Sequence, residues 1–377
     1  MSEDSLHDGY DVVACRRCGC CYADAIPGQE VFDGYYRNMS KYEQPAMAGK
    51  INEYDLKRFQ DVADRILPNL QKDNPHIVEI GCATGALLAL LKKAGQQQVM
   101  GLDPSPACCR IAGEAYGVTA RCGTLSDNLL PERSVDFLIL VGVLEHLRDL
   151  APAMEKLRTL LAPRGRIFIT VPDANRYSSG DDAPFQEFSP EHINFFGPQS
   201  LSNLMAAHGF KTIHCEQAEI RPSLSTMTPV LHGCFEKLEI VSTNPALLFD
   251  EETVSGLKLY VERSRSENEV IQPRLEELAS SGRAVTVWGA GAHTLRLLAT
   301  SALGRANLKA IVDSNPLYQG KTVNGIPILK PAALTELPGA ILISTRIYQN
   351  EIRNQIVNGL KLKHEVITLY KLTTPRN

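Results

Sequence analysis

The run His76-Ile77-Val78-Glu79-Ile80-Gly81-Cys82-Ala83-Thr84-Gly85-Ala86-Leu87-Leu88 constrains this chain more than any other. Its first five residues are a short, β-branched stretch suited to a parallel strand buried on both faces. Glycine at 81 and 85 lets the backbone turn sharply and approach a ligand with no Cβ in the way. A leucine-rich helix follows, and its first turn presents unpaired N–H groups to a carboxylate or phosphate. The same strand-then-helix rhythm continues. Gln98–Leu102 reads as a second strand ending at Asp103, 18 positions after Gly85. An acid there can accept both hydroxyls of a ribose. Arg121-Cys122-Gly123-Thr124-Leu125 reads as the third strand and its loop, with Thr124 or Leu125 near a bound base. Val135–Leu140 is the fourth, running into Val141-Gly142-Val143-Leu144-Glu145-His146-Leu147, and Gly165–Pro172 the fifth. The pattern predicts an α/β fold on a Rossmann-like parallel sheet.

At 377 residues the chain exceeds one ordinary core. The pattern divides it into a Cys/Tyr-rich region (1–70), the α/β domain (71–219), a largely helical connector (220–282) and a second Rossmann-like α/β unit (283–377). Strands of the last unit are expected at Ala284–Trp288, Leu308–Val312, Ala340–Ser344 and Val366–Leu369. A net charge of −4 offers no field for nucleic acid, so small-molecule or small-carrier partners are expected rather than RNA or DNA. No apolar run reaches the roughly 20 residues of a membrane span. The polar start Met1-Ser2-Glu3-Asp4-Ser5 is unlike a signal peptide, and the expected setting is the cytoplasm. In that reducing compartment the ten cysteines are not expected to form a disulfide set. Cys215 and Cys234 read as small buried hydrophobes.

In order and spacing, residues from about Asp73 to Glu219 resemble the class I S-adenosylmethionine (SAM)-dependent methyltransferases. The resemblance implies that Glu79, Gly81, Cys82, Gly85, Asp103, Thr124, Leu125 and Val141 cradle SAM, with the Val141–His146 loop at its edge. One departure is Cys82-Ala83 where Cys-Gly is common. The overall layout is similar to the nucleotide-deoxysugar C-methyltransferases, which implies an acceptor whose 4-keto group acidifies an adjacent sugar carbon. A base then makes the enolate that takes the methyl.

Candidates for that base lie in Phe188-Ser189-Pro190-Glu191-His192-Ile193-Asn194-Phe195-Phe196. His192 titrates near neutrality, Glu191 could orient it or act itself, and His146 is a third candidate. The plainer reading makes this a helix-capping segment with Phe195 and Phe196 in the core. Ser189 stands where the family has Tyr. Tyr36 and Tyr42 are candidates for a lid or substrate contact. Cys15-Arg16-Arg17-Cys18 has the spacing of half a zinc knuckle, making Cys15 and Cys18 candidate zinc ligands. The family's other Cys-x-x-Cys is missing upstream, leaving Cys20, Cys21 and His7 as substitutes.

Two alternatives stay open for the activity: methylation at oxygen or nitrogen, and an NAD-dependent oxidoreductase using Gly289-Ala290-Gly291 and Asp313. In the latter motif Thr294 replaces the third fingerprint glycine. A non-catalytic SAM-binding module is a third class, and a homodimer is compatible with all of these readings.

Overall fold

A computed structural model describes residues 9–38 and 53–371, less 225, 244 and 317. Its central sheet is built from β3 (Ile77–Ile80), β4 (Val99–Asp103), β5 (Thr119–Cys122), β6 (Val135–Val141), β7 (Leu161–Pro172), β9 (Phe210–Ser223) and β10 (Thr226–Lys237). Across the sheet they lie in the order β5-β4-β3-β6-β7-β10-β9. The first five run parallel, and β10 and β9 close the sheet as an antiparallel hairpin. One apolar cluster, with Leu138, Leu140, Ile167 and Phe210, packs one face; another, with Ile77, Leu88, Ile139 and Phe168, packs the other. Because β3 pairs with β4 on one side and β6 on the other, the chain reverses its strand order there. Ligand crevices open at the carboxyl ends of strands at such a switch point.

The helical reading from Ile220 is corrected here. Ile220–Ser223 completes β9 and Thr226–Lys237 forms β10, so a helix begins only at Glu251, the start of α7 (Glu251–Ser280). Pro229 and Gly233 disguise β10 as loop. Pro229 is tolerated because pairing with β7 begins at Val230, so its missing N–H interrupts no bond on that side. Burial between two strands then outweighs local propensity.

The N-terminal strands β1 (Asp11–Ala14) and β2 (Cys21–Asp24) form a hairpin. β2 also pairs with the two-residue β8 (Asn194–Phe195), so the Cys-rich region is zipped to the Glu191-His192 segment. Helix α1 (Gln29–Asn38) follows the hairpin and α2 (Glu53–Ile66) packs near α3 (Ala86–Lys93). The sheet's remaining helices are α4 (Pro106–Tyr116), α5 (Leu150–Leu160) and α6 (Pro198–Ala207).

Helix α7 bridges the two α/β units over 30 residues. Asp250 caps it, accepting from Thr253 N–H at 3.0 Å and from Ser200 N–H of α6 at 2.8 Å. Its first turns press on the short helical turn Ala174–Ser179 after β7. A Cβ on Gly256 would collide with the Asn175 backbone, which cannot swing aside as a side chain would. Gly256→Ala is therefore expected to destabilise the protein by about 1–3 kcal/mol. An unchanged denaturation midpoint would show that α7 can lift off this turn freely.

In the second sheet, β11 (Val285–Trp288), β12 (Leu308–Val312), β15 (Ala340–Ile343) and β16 (Val366–Thr368) fall on the four expected runs. β13 (Thr322–Val323) and β14 (Ile326–Leu329) are additional. The order is β13-β14-β12-β11-β15-β16, parallel except for β13. No helix of the described residues is long and apolar enough to cross a membrane.

Candidate active site

The turn after β3 has the geometry of a ligand cradle. Gly81 sits at φ 70° and Gly85 at φ 80°, where side chains are disfavoured. A Cβ on Gly81 would also lie 2.6 Å from Val143 of the loop after β6. Ala83, which replaces the family's usual glycine, is held at φ 45°. That left-handed conformation costs an alanine about 1–2 kcal/mol. Asp103 holds it in place: Oδ2 accepts Ala83 N–H at 2.8 Å, while Oδ1 accepts Ser105 N–H at 2.9 Å. The carboxylate thereby ties the turn after β3 to the start of α4.

Glu79 lies in mid-β3 beneath the turn, 3% exposed, with Oε2 buried and unbonded among the described residues. Burial, then the nearby Asp103, pushes its carboxyl well above the usual range. Cys82 is buried beside Gly101. Val141 ends β6 and packs on the sheet core. Thr124 turns its polar groups into its own loop, its N–H donating to Asp127 at 2.8 Å and its hydroxyl lying 2.7 Å from that of Ser126. Leu125 packs half-buried against the core. Open glycine turn, helix N-terminus and acidic strand end together fit SAM: Asp103 would hold the ribose and the turn the methionine end.

Beside this cradle lies a cluster of two imidazoles, three carboxylates and two phenols. His146 ends the short helical turn Leu144–His146, and its Nδ1–H donates to the Glu191 carbonyl at 2.7 Å. Its Nε2 is 3.7 Å from Oε1 of Glu145, which is 3% exposed. The His146 and His192 rings are 5.1 Å apart, and Tyr36 stacks edge-on to His146 at 5.7 Å. The Tyr36 hydroxyl is buried without a partner among the described residues. Tyr42 lies outside those residues.

Glu191 does not orient His192. Its carboxylate accepts from the Tyr35 hydroxyl at 2.9 Å, and the acid beside His192 is Glu187, with Oε2 3.5 Å from Nδ1. Burial opposes a charge on His192, but Glu187, Glu145 and Glu191 outweigh it and hold its pKa above the ordinary imidazole value. Glu187 is hard to find in the sequence because its five-residue separation from His192 matches no local motif. Asn194 is equally hidden. Its side-chain amide donates to the Leu144 and Leu147 carbonyls at 3.2 and 2.7 Å, bracketing Glu145 and His146. Phe195 and Phe196 are core residues, 0% and 1% exposed.

Zinc does not fit the described residues around Cys15 and Cys18. The two thiols share a tight turn closed by Gly19 N–H donating to the Cys15 carbonyl at 2.8 Å. Hydrogen bonds from the Arg17 and Cys18 backbone lower the Cys15 pKa. A tetrahedral ion needs two further donors. Cys21 is instead buried, donating its thiol to the Gly19 carbonyl at 3.3 Å, and burial pushes both Cys20 and Cys21 up to about 12. His7 lies outside the described residues. Among these, the one group of three His, Cys or acidic donors within 4.8 Å is Glu145, His146 and His192. The cysteine turn instead supports the fold, because the Cys18 carbonyl accepts Asp250 N–H at 2.9 Å, at the start of α7.

The C-terminal unit repeats the cradle's wiring. Asp313, after β12, accepts Ala290 N–H and Asn315 N–H, each at 2.7 Å, as Asp103 does for Ala83 and Ser105. Thr294, however, fills the place of a third fingerprint glycine, its hydroxyl 2.6 Å from that of Ser344.

A family model described as a methyltransferase domain matches residues 52–215, and one described as a C-methyltransferase C-terminal domain matches 249–368. Residues 52–215 are thus a methyltransferase domain of the SAM-dependent kind, followed by a C-methyltransferase C-terminal domain. The C-methyltransferase NovU of Streptomyces niveus is 26% identical over 361 residues, covering 91% of this chain and 81% of that protein. A probable SAM-dependent methyltransferase of Mycolicibacterium smegmatis is 29% identical, but over only 36% of this chain and 51% of its own length. Among solved structures, the geranyl diphosphate C-methyltransferase of Streptomyces coelicolor A3(2) aligns with TM-score 0.41 and 16% identity, covering 57% of this chain and 99% of its own. The methyltransferase is thus an enzyme that takes its methyl group from SAM, and its C-terminal part is of the C-methyltransferase kind.

Proposed function

We propose that the enzyme methylates a carbon atom next to the carbonyl of a nucleotide-linked keto-sugar. The observation that carries this reading is the imidazole pair His146 and His192, enclosed by Glu145, Glu187 and Glu191 beside the SAM cradle. A carbon nucleophile needs a proton removed, and an imidazole whose pKa lies near the working pH is suited to removing it. His192 takes the proton from the carbon, the electron pair moves onto the carbonyl oxygen, and the enolate carbon becomes the nucleophile. Bound SAM supplies an electrophilic methyl carried on a sulfonium. The Tyr36 hydroxyl, buried and without a partner among the described residues, is suited to donate to the enolate oxygen. Helix α1 brings Tyr35 and Tyr36 against this cluster, which would limit the access of water to the enolate. The C-terminal crevice at Gly289-Ala290-Gly291 and Asp313 is assigned to the nucleotide end of the acceptor. Support for that assignment is the backbone wiring it shares with the SAM cradle.

Incubation with SAM and 4-keto nucleotide sugars should release S-adenosylhomocysteine and add one methyl to carbon. In deuterium oxide without SAM, the same substrates should gain deuterium at that carbon. Turnover confined to phenols, alcohols or amines, with no keto-sugar turnover, would sink the proposal and favour methylation at oxygen or nitrogen.

A further inference from the structure

We infer that Glu187 is the positioning residue of the active site, the carboxylate that fixes the tautomer of His192 and supports its positive charge. The inference rests on the reading of His192 as the base and deepens it.

Each neighbouring acid is engaged differently. Glu191 receives the Tyr35 hydroxyl through its carboxylate and His146 through its carbonyl. Glu145 faces Nε2 of His146. Glu187 faces Nδ1 of His192 at 3.5 Å, and that nitrogen is closed to solvent with no hydrogen bond of good geometry to any described group, so the Glu187 carboxylate acts on it as the nearest charge rather than as a formed hydrogen-bond acceptor. A proton on Nδ1, attracted by Glu187, leaves the lone pair on Nε2 as the one that takes the substrate proton. The Glu187 charge then faces the imidazolium that forms. This division of labour, with an acid behind one ring nitrogen and the reacting proton at the other, is what a histidine base requires.

The segment is built to hold this geometry. The Tyr10 hydroxyl bonds both the Ser189 and the His192 carbonyls, at 3.1 and 3.2 Å, and His192 N–H donates to the Ser189 carbonyl at 3.2 Å. Glu187 is anchored from α7: its N–H donates to the Tyr260 hydroxyl at 3.0 Å, which in turn donates to Asp182 at 2.5 Å. Arg263 of α7 pairs with the same Asp182 at 3.0 Å. Among the described residues, the charged and titratable groups facing His192 are Glu187 and Glu191 on its own segment, and Glu145 and His146 from the turn after β6, with Tyr10 closing the backbone side.

The test is Glu187→Gln in the full chain, read by ¹⁵N-histidine NMR and by the pH dependence of turnover. Loss of the carboxylate should move the His192 titration down by about one pH unit, and further than Glu191→Gln does. The acid limb of kcat/KM should move down with it. The maximal kcat should fall roughly 10- to 100-fold while KM changes less than threefold, and Glu187→Asp should recover part of the loss. The Asp variant also serves if Glu187→Gln folds poorly. An unmoved His192 titration, or an unmoved rate limb, in Glu187→Gln overturns the inference. Undiminished turnover by His192→Ala would instead overturn the reading of His192 as the base, so the two failures are distinguishable.

Discussion

Asp103→Ala is expected to weaken SAM binding about a hundredfold or more, measured by calorimetry. Asp103 is 8% exposed and accepts the N–H groups of Ala83 and Ser105, one on either side of the crevice. Alanine removes both acceptors, leaving Ala83 in a left-handed conformation with nothing to hold it. A hydrogen bond to a charged acceptor contributes about 1.5–3 kcal/mol, and about 1.4 kcal/mol is tenfold in affinity. Losing two such bonds, and the acceptor for a ribose, accounts for the expected size. Asp103→Asn keeps one acceptor oxygen and should fall between the two. Affinity within threefold of the parent for Asp103→Ala would show that the loop holds itself and that the ribose is bound elsewhere.

His192→Ala is expected to lower kcat by a factor of about 10² to 10⁴, the range for losing a positioned general base. SAM affinity should stay within threefold, since the cradle is built from other elements. The pH profile carries a sign. The neutral imidazole is the active form, so the rate should rise with pH as His192 loses its proton. Carboxylates outweigh burial and raise its pKa, so this limb should lie above the ordinary value of about 6.5. A limb well below 6.5, or turnover unchanged in His192→Ala, would assign proton removal to another group. His146→Ala is the companion variant. Its Nδ1 bond to the Glu191 carbonyl makes it a brace for this segment, so the loss should be smaller than for His192→Ala.

The strand, turn and helix of the proposed SAM cradle were legible because all their parts are local. Strand, glycines and helix are contiguous from His76 to Leu91, and the sequence signals there are steric requirements: positive φ at Gly81 and Gly85. Asp103 is only one βα unit further on. The same locality made the four main strands of the C-terminal unit readable. Where a segment owes its conformation to distant neighbours, legibility failed. β10 reads poorly as a strand because of Pro229 and Gly233, and is one through burial between β7 and β9. Cys15 and Cys18 have ligand spacing, but whether other donors converge on them is a matter of packing, and Cys21 turned inward.

The sequence by itself determined the first sheet's strand–turn–helix unit and the acid after β4, the part proposed to hold SAM, each dictated by backbone conformation over a few residues. Only the tertiary structure decided which carboxylate serves which imidazole. Glu187, Glu191 and Glu145 are equivalent as letters. They differ because Tyr260 of α7 anchors one, Tyr35 of α1 engages the next, and the turn after β6 buries the third. Charge and hydrogen bonding act over a few ångströms of space, whatever the separation along the chain, so proton transfer is assigned by packing.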